Sequence, residues 1–253
     1  MVNTQITSIP FLSDNYAWAS HDGKSAAIID PGEAGPVRRF LENNNLALSY
    51  VLITHHHADH CGGTAALKRK FTGCIVIGPD DARLSIADDP VHGGEERDVL
   101  GLPMKVIAAP GHTKTHVLFY FPSNQALFTG DTLFSAGCGR LFEGSALDLF
   151  QSLVKCAALG DDTLIYCGHE YTEENLKFAL TVDPSNTAII DRLSEVKELR
   201  RQGQSSVPST LRKEKIINPF LRVKEPAIRK KLGMESAEDV EVFARLREMK
   251  DRF

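Results

Sequence analysis

The stretch YVLITHHHADH, residues 50–60, joins a strand-like run to a cluster of histidines. Its first half, YVLIT, is an apolar and β-branched run with the length of a buried strand. Four of the nine histidines then fall between His55 and His60, where the strand gives way to a loop. Imidazole and carboxylate groups are the ligands that zinc and similar divalent ions prefer. The stretch therefore predicts a metal site at a strand end, because a loop lets ligands two residues apart converge on one ion.

Three more ligand-type side chains follow apolar runs of strand length. His112 follows VIAAPG, Asp131 follows ALFTG and His169 follows TLIYCG. Functional residues in layered α/β proteins gather at one end of the strands, because the loops there share a rim. The seven candidate ligands are His55, His57, Asp59, His60, His112, Asp131 and His169. One His run alone would be compatible with a surface cluster, but four ordered motifs after four strands are not expected by chance. Seven ligands suit two ions that share a bridging carboxylate and a water.

The composition is that of a globular protein. The 253 residues are 42% hydrophobic and 25% charged, so intrinsic disorder is not expected. The 29 Lys and Arg against 33 Asp and Glu give a net charge of −4, which disfavours a generally basic nucleic-acid-binding protein. No apolar run approaches the roughly 20 residues that span a bilayer, and no secretory signal is indicated. The five scattered cysteines argue against a disulfide framework, and we expect a soluble, cytoplasmic protein.

Charge and pattern both change near residue 168. Residues 1–166 carry a net charge of −6 and are rich in short apolar runs broken by Gly, Pro and Asp. The following residues carry a net charge of +2, and helical patterns replace the strand-like runs. We therefore predict an α/β domain over residues 1–168, followed by a smaller helical domain over residues 169–253.

Helical spacing and turn residues predict where individual elements lie. Helices are expected at 35–43, 63–71, 145–158, 175–181, 187–201 and 237–251. Ser145 is a candidate N-cap for the third of them. The segment SSVPSTLRKEKIINPFLRV, residues 205–223, contains two prolines and is predicted to be an extended connector. Among the histidines outside the ligand set, His116 is expected to be structural, and His21 and His92 to be solvated loop residues.

Motifs along nearly the whole chain resemble one family. Residues 54–60 match the THxHxDH signature of the metallo-β-lactamase superfamily, and the later His and Asp candidates fit the rest of its pattern. Four further segments resemble glyoxalase II, the hydroxyacylglutathione hydrolases. They are CGRLFEGSA (138–146), YCGHEYTEENLKFAL (166–180), VPSTLRKEKIINPFLR (207–222) and the RxxKDxF ending at 247–253. Most superfamily members lack this helical tail, so the resemblance is more specific than the superfamily signature.

The resemblance implies a fold and a metal centre. The fold would be of the α/β class, an αββα metallo-β-lactamase sandwich followed by a smaller C-terminal α-helical domain that binds the glutathione part of the substrate. The implied ligands are His55, His57 and His112 for one ion, Asp59, His60 and His169 for the other, and Asp131 as the bridge. We expect two divalent ions per chain, zinc first, with iron or manganese accepted by the same ligands. Asp30 would either orient these ligands or serve only as a turn residue before Pro31.

The resemblance also implies the reaction. The thioester of S-2-hydroxyacylglutathione, with S-D-lactoylglutathione as the physiological substrate, would be hydrolysed to glutathione and D-lactate, the second step of methylglyoxal detoxification. A hydroxide bridging the ions would attack the carbonyl carbon, and Asp59 and Asp131 would be the catalytic residues that hold it. The implied glutathione contacts are Arg140, Tyr171, Arg247 and Lys250. Phe142 stands where some members have Tyr, which removes one possible hydrogen bond.

Other functions fit parts of the pattern. Mononuclear iron glutathione-persulfide dioxygenases share the superfamily, but they use two His and one carboxylate and have a shorter C-terminal part. A β-lactamase or a nuclease is a weaker option, and the acidic first 166 residues are a poor docking surface for phosphate backbones. A non-catalytic metal-binding scaffold would be expected to have lost ligands, and this chain keeps all seven. We expect a monomer without nucleic-acid or membrane partners.

Overall fold

In the computed structural model, which describes residues 4–253, the chain divides into two units. The first contains the residues up to Ala108 together with Thr115–Gly130, and the second contains Ala109–Lys114 and Asp131–Phe253. The domains predicted at 1–168 and 169–253 remain a prediction. Within residues 4–253, no helix combines the length and the apolar character needed to cross a membrane.

From residue 4 onward, the first unit contains ten strands. They are β1 (Gln5–Phe11), β2 (Asn15–His21), β3 (Ser25–Ile29), β4 (Ala47–Leu52), β5 (Ile75–Pro79), β6 (Asp89–Val91), β7 (Glu96–Val99), β8 (Leu102–Ala108), β9 (Val117–Phe121) and β10 (Ala126–Gly130). One sheet has the order β1-β2-β3-β4-β5-β6, and the other four strands pair in the order β10-β9-β8-β7. Strands β3 to β6 are parallel, so their carboxyl ends lie at the same edge of the sheet.

Three helices accompany these sheets: α1 (Ala34–Asn43), α2 (Ala58–Cys61) and α3 (Thr64–Lys70). Val37 and Leu41 lie one turn apart on α1 and are fully buried, as is Leu67 on α3. All three side chains belong to the apolar core that also contains residues of β1 to β5. On α1 the two residues share one face, because helix residues four apart do so, and burial of these apolar side chains fixes α1 and α3 on the sheet.

The second unit contains short strands and six helices. They are β11 (Leu133–Phe134), β12 (Gly137–Cys138), β13 (Leu164–Cys167), β14 (Ser209–Thr210), α4 (Ala146–Ala157), α5 (Thr172–Val182), α6 (Thr187–Arg201), α7 (Leu211–Ile217), α8 (Pro226–Leu232) and α9 (Asp239–Asp251). Strand β11 pairs antiparallel with β12, and β13 pairs antiparallel with β14. The predicted N-cap is confirmed, since Ser145 and Asp148 form a reciprocal capping box at the start of α4.

Aromatic side chains hold the helices of the second unit together. The ring of Phe243 on α9 lies 5.6 Å from that of Phe150 on α4 and 5.8 Å from that of Phe220. Phe178 on α5 stacks on Phe220 at 6.0 Å. Phe178, Phe220 and Phe243 are fully buried, and aromatic pairs at these separations stabilise beyond the area they bury. This core therefore fixes α9 beside α4 and α5.

Two sequence-based expectations are wrong. The segment 205–223 is not an extended connector throughout, because α7 begins at Leu211 and the Thr210 hydroxyl caps it by accepting a hydrogen bond from the backbone N–H of Lys213. The two prolines of the segment lie outside this helix, so they do not oppose it. His21 is not a solvated loop residue, since it ends β2, is 8% exposed and packs its ring against Phe40.

Candidate metal centre

The first unit places four of the predicted ligands after the carboxyl end of β4. His55 and His57 lie in the loop, and Asp59 and His60 lie in α2. The Nε2 atom of His55 is 3.0 Å from Nδ1 of His57. The rings of His55 and His60 are 4.2 Å apart, and Nε2 of His60 is 3.6 Å from Oδ2 of Asp59. The loop therefore brings all four side chains into one cluster.

Asp30 fixes this cluster from the neighbouring strand end. It follows β3, is buried and has a φ of +52°, in the left-handed region that Asp tolerates better than most residues. Its Oδ1 accepts a hydrogen bond from the backbone N–H of Thr54, and its Oδ2 accepts one from the Thr54 hydroxyl, both at 2.7 Å. Oδ2 also lies 3.0 Å from Nδ1 of His60. A carboxylate bound to Nδ1 of His60 leaves Nε2 of the same ring to face a metal ion. These contacts therefore favour a role for Asp30 in orienting the ligands over a role as a turn residue only.

The loop after Asp30 and the residues in and after α2 pack so closely that two positions require glycine. A Cβ atom on Gly32 would lie 2.0 Å from the carbonyl oxygen of Asp59. Similarly, a Cβ atom on Gly63 would lie 2.6 Å from the carbonyl oxygen of Pro31. Separations this short exclude any side chain at either position without a backbone shift. The close approach holds Asp30 within reach of His60.

Asn15 also contacts this cluster, although the predicted site residues did not include it. It is the first residue of β2, is 5% exposed, and its Nδ2 donates to Oδ2 of Asp59 at 3.0 Å. A hydrogen bond to one carboxylate oxygen restricts rotation of the carboxylate. Forty-four positions separate the two residues, and no spacing rule connects a turn sequence such as SDNY with a distant ligand. The antiparallel pairing of β2 with β3 and the parallel pairing of β3 with β4 bring the start of β2 to the sheet edge where Asp59 lies.

Two further histidines lie beside the cluster. The ring of His116 stacks on that of His55 at 4.7 Å and is buried, as expected for a structural residue. Nδ1 of His56 lies 3.8 Å from Oδ2 of Asp81. Hydrogen bonds from Arg83 hold the pKa of Asp81 far below its usual range, so this carboxylate stays ionised. We assign neither histidine to the ligand set.

The second unit brings the other three predicted ligands together around Asp131. Oδ2 of Asp131 lies 3.5 Å from Nε2 of His112 and 3.4 Å from Nε2 of His169. Nδ1 of His112 is 2.8 Å from the carbonyl oxygen of Arg140, so it donates there and leaves Nε2 facing Asp131. Tetrahedral ligands about 2.0–2.1 Å from one ion are roughly 3.4 Å apart. The donor atoms and their spacing thus fit a metal ion.

A cavity of about 450 Å³ in the second unit is lined by His112 and Asp131. The four residues that the family resemblance implies as glutathione contacts also line it, and they are Arg140, Tyr171, Arg247 and Lys250. The ring of Tyr171 stacks on that of His169 at 4.6 Å. Phe142, at the position that departs from some family members, lies edge-on to the His112 ring at 5.2 Å. The cavity thus joins cationic and aromatic groups to two of the ligand-type side chains.

Arg247 and Lys250 differ in what they contact. Arg247 is buried, and its Nη1 donates to the carbonyl oxygens of Cys138 at 2.8 Å and Gly139 at 3.3 Å. Nζ of Lys250 lies over the rings of Phe178 and Phe253, at 5.7 and 5.0 Å from their centroids. Burial, together with the charge of Arg247, lowers the pKa of Lys250. Arg247 thus binds backbone carbonyl groups as well as Asp251, whereas the ammonium group of Lys250 lies at the cavity between two aromatic rings.

Comparison with family models and with known proteins identifies the family of this chain. The model of the metallo-β-lactamase superfamily matches residues 13–169, and the model described as the hydroxyacylglutathione hydrolase C-terminus matches residues 170–253. A hydroxyacylglutathione hydrolase of Photobacterium profundum is 45% identical over 98% of this chain and 99% of its own length. The chain belongs to the hydroxyacylglutathione hydrolase family. Another such hydrolase, of Methylococcus capsulatus, is 45% identical over 98% of both chains.

The comparison of folds agrees with this family. The crystal structure of ETHE1 from Myxococcus xanthus is similar with a TM-score of 0.69 and 26% identity, over 96% of this chain and 90% of that one. The predicted fold class, an α/β metallo-β-lactamase fold with a C-terminal helical region, is confirmed. Within the hydroxyacylglutathione hydrolase family and this fold, the His and Asp clusters indicate a binuclear metal site.

Proposed function

We propose that this chain hydrolyses S-D-lactoylglutathione to glutathione and D-lactate, the second step of methylglyoxal detoxification. We further propose that it uses two zinc ions and that it acts in the cytoplasm as a monomer. Membership in the hydroxyacylglutathione hydrolase family indicates that the chain is a thioester hydrolase acting on hydroxyacylglutathione. The observation that supports an anionic glutathione thioester as the substrate is the cavity beside His112 and Asp131, which combines ligand-type side chains with cations.

The proposed ligands keep the sets implied by the family. They are His55, His57 and His112 for one ion, Asp59, His60 and His169 for the other, and Asp131 between them. Two divalent ions held there would acidify a shared water and draw charge from the carbonyl oxygen of the substrate. The chain contributes oriented donors, since Asp30 and the Arg140 carbonyl group fix which nitrogen of His60 and of His112 faces the site.

Two further contributions to catalysis are expected, from the carboxylates of Asp59 and Asp131 and from the leaving group of the substrate. Asp59 is held in one orientation by Asn15, and Asp131 approaches two histidines, so both carboxylates can position a water for attack. The expelled glutathione thiolate is a good leaving group, so a dedicated general acid is less necessary than in amide hydrolysis. Ser or Cys nucleophiles are not required.

The substrate is proposed to bind in the cavity through its glutathione part. At neutral pH glutathione carries two carboxylates, which cations and phenol hydroxyls recognise. Arg140 and Lys250 supply the cations, and Tyr171 supplies a phenol beside His169. Arg247 would contribute by holding the Cys138–Gly139 backbone next to Arg140. The helical region 169–253 is thus proposed as the substrate-binding domain and residues 1–168 as the catalytic domain.

A mononuclear iron glutathione-persulfide dioxygenase is the less supported alternative. It would need two His and one carboxylate, whereas this chain carries the additional set Asp59, His60 and His169. The relatives that match over its full length are named hydroxyacylglutathione hydrolases. We propose no nucleic-acid or membrane partner.

One assay tests this proposal. The loss of S-D-lactoylglutathione is followed by absorbance with purified protein, before and after chelation and after metal is added back, with metal analysis to distinguish zinc from iron and manganese. We expect hydrolysis that chelation abolishes and metal restores, and that Asp131→Asn lowers about a hundredfold or more. Asp162→Asn, an exposed surface change, serves as the control. Absence of hydrolysis by folded, metal-loaded protein, with oxygen consumption on glutathione persulfide, would support the dioxygenase instead.

A further inference from the structure

The cavity wall carries negative as well as positive charge. Among the described residues, the carboxylates that line it are Asp131, Glu174 and Asp251. Asp131 belongs to the proposed metal ligands. The other two lie on the side formed by α5 and α9, near Lys250. A cavity that served only to attract carboxylates would gain nothing from negative groups on its wall, because like charges repel.

The two remaining carboxylates differ in what already neutralises them. Asp251 accepts from the guanidinium of Arg247 at 3.0 and 3.2 Å and from that of Arg140 at 3.3 Å. Glu174 pairs with Lys177, one turn further along α5, and its side chain is 62% exposed. Exposed pairs three residues apart on a helix contribute little free energy and exchange readily with other partners. Glu174 is therefore the carboxylate of this wall that can accept a cation from a ligand.

Glutathione thioesters supply such a cation. Each carries two carboxylates and one free α-ammonium group, on the γ-glutamyl arm. Arg140 and Lys250 suit the carboxylates, but neither can receive an ammonium group. We propose that Glu174 forms a subsite for the α-ammonium group of the γ-glutamyl arm. This subsite rests on the proposed function and deepens it, because it would let the cavity distinguish a zwitterionic glutathione thioester from a purely anionic thioester.

A simpler role for Glu174 has to be separated from this one. Acidic residues in the first turn of a helix stabilise it through the helix dipole, and Glu173 and Glu174 both lie in the first turn of α5. Glu173 also pairs with Lys177, at 3.0 Å, but it does not line the cavity. Glu173→Gln therefore removes the same charge from the same turn and the same partner. It is the matched control for Glu174→Gln.

The test compares two substrates that differ only in the ammonium group. One is S-D-lactoylglutathione, and the other is its glutaryl analogue, in which hydrogen replaces the α-ammonium group and both carboxylates remain. Glu174 also acts on Lys250 through its charge, but that effect applies to both substrates and cancels in their ratio. The metal-loaded wild-type protein, Glu174→Gln and Glu173→Gln are each assayed for kcat and KM on both.

We expect the wild-type protein to prefer the ammonium-bearing substrate about two- to fivefold through KM, the size of one partly exposed ion pair. Glu174→Gln should lose this preference with kcat unchanged on the glutaryl analogue, and Glu173→Gln should keep it. Equal KM values for the two substrates with the wild-type protein, or a preference retained by Glu174→Gln, would overturn the subsite while leaving the hydrolase intact. Hydrolysis of neither substrate would overturn the proposed function itself.

Discussion

Arg247 reaches back 109 positions in sequence to donate a hydrogen bond from Nη1 to the carbonyl oxygen of Cys138, at 2.8 Å. The same guanidinium group pairs with Asp251 one turn along α9. Cys138 ends β12, and Arg140 follows two residues later on the wall of the cavity. Arg247 thus links α9 to the segment that presents Arg140, so part of any effect of Arg247 on substrate affinity would pass through the backbone.

The first prediction concerns this link. Arg247→Lys keeps the charge but offers one ammonium group in place of a planar fork, so the carbonyl groups of Cys138 and Gly139 cannot both be satisfied together with Asp251. We expect the free energy of unfolding to fall by about 1–3 kcal/mol, the cost of leaving buried carbonyl groups unpaired, and KM to rise. Urea unfolding and steady-state kinetics measure both. Arg245→Lys, an exposed change on the same helix, is the control. Unchanged stability would contradict the link.

The second prediction concerns the carboxylate behind His60. Asp30→Asn replaces one acceptor oxygen by an NH₂ group, so the contacts with Thr54 and His60 cannot all be kept. We expect metal affinity to fall about 10- to 100-fold, as is typical when a partner that orients a ligand is lost. Competition with a chromophoric chelator measures this without an activity assay. Asp22→Asn, at a hairpin turn, should leave the affinity unchanged. Equal affinities for the two variants would refute the orienting role.

The third prediction concerns Asn15. Asn15→Ala removes the N–H group that holds Asp59, so this carboxylate gains rotational freedom and loses a hydrogen bond. We expect weaker binding of the second metal ion, by roughly tenfold, and a lower kcat with little change in KM. Metal titration followed by elemental analysis gives the stoichiometry. Asn124→Ala, which removes a part-buried amide hydrogen bond to Thr4, serves as the comparison. If two ions bind Asn15→Ala as tightly as the wild-type protein, the proposed role of Asn15 in holding Asp59 is refuted.

The fourth prediction concerns pH. Burial lowers the pKa of Lys250 below its ordinary value, so its ammonium group loses the proton at a lower pH than an exposed lysine does. Attraction for a substrate carboxylate is present below the lowered pKa and is lost as pH rises through it. We therefore expect KM to increase with pH already below the ordinary lysine pKa of about 10.4, after subtraction of spontaneous thioester hydrolysis. Lys250→Arg stays charged throughout and should remove this component of the rise. A KM profile identical in both proteins would exclude Lys250 as its source.

The outcomes for particular elements show what local signals can predict. Ser145 was predictable as an N-cap because its capping box involves residues three apart. Helix α7 was missed because Pro208 and Pro219 favour an extended segment, although both lie outside the helix. His21 was misplaced because its partner, Phe40, lies on another element, and no local pattern announces that contact.

Local sequence pattern alone indicates which side chains are of metal-ligand type and where they lie along the chain. Ligand-type side chains follow apolar strand segments, and parallel strands such as β3 and β4 bring their carboxyl ends to one edge of a sheet, so local pattern suffices. Which other residues contact and orient these side chains depends on the tertiary structure. Asn15 reaches Asp59, and Arg247 reaches Cys138, through chain pairings over 44 and 109 positions. Such contacts depend on how whole elements pack, and packing is not encoded in the spacing of neighbouring residues.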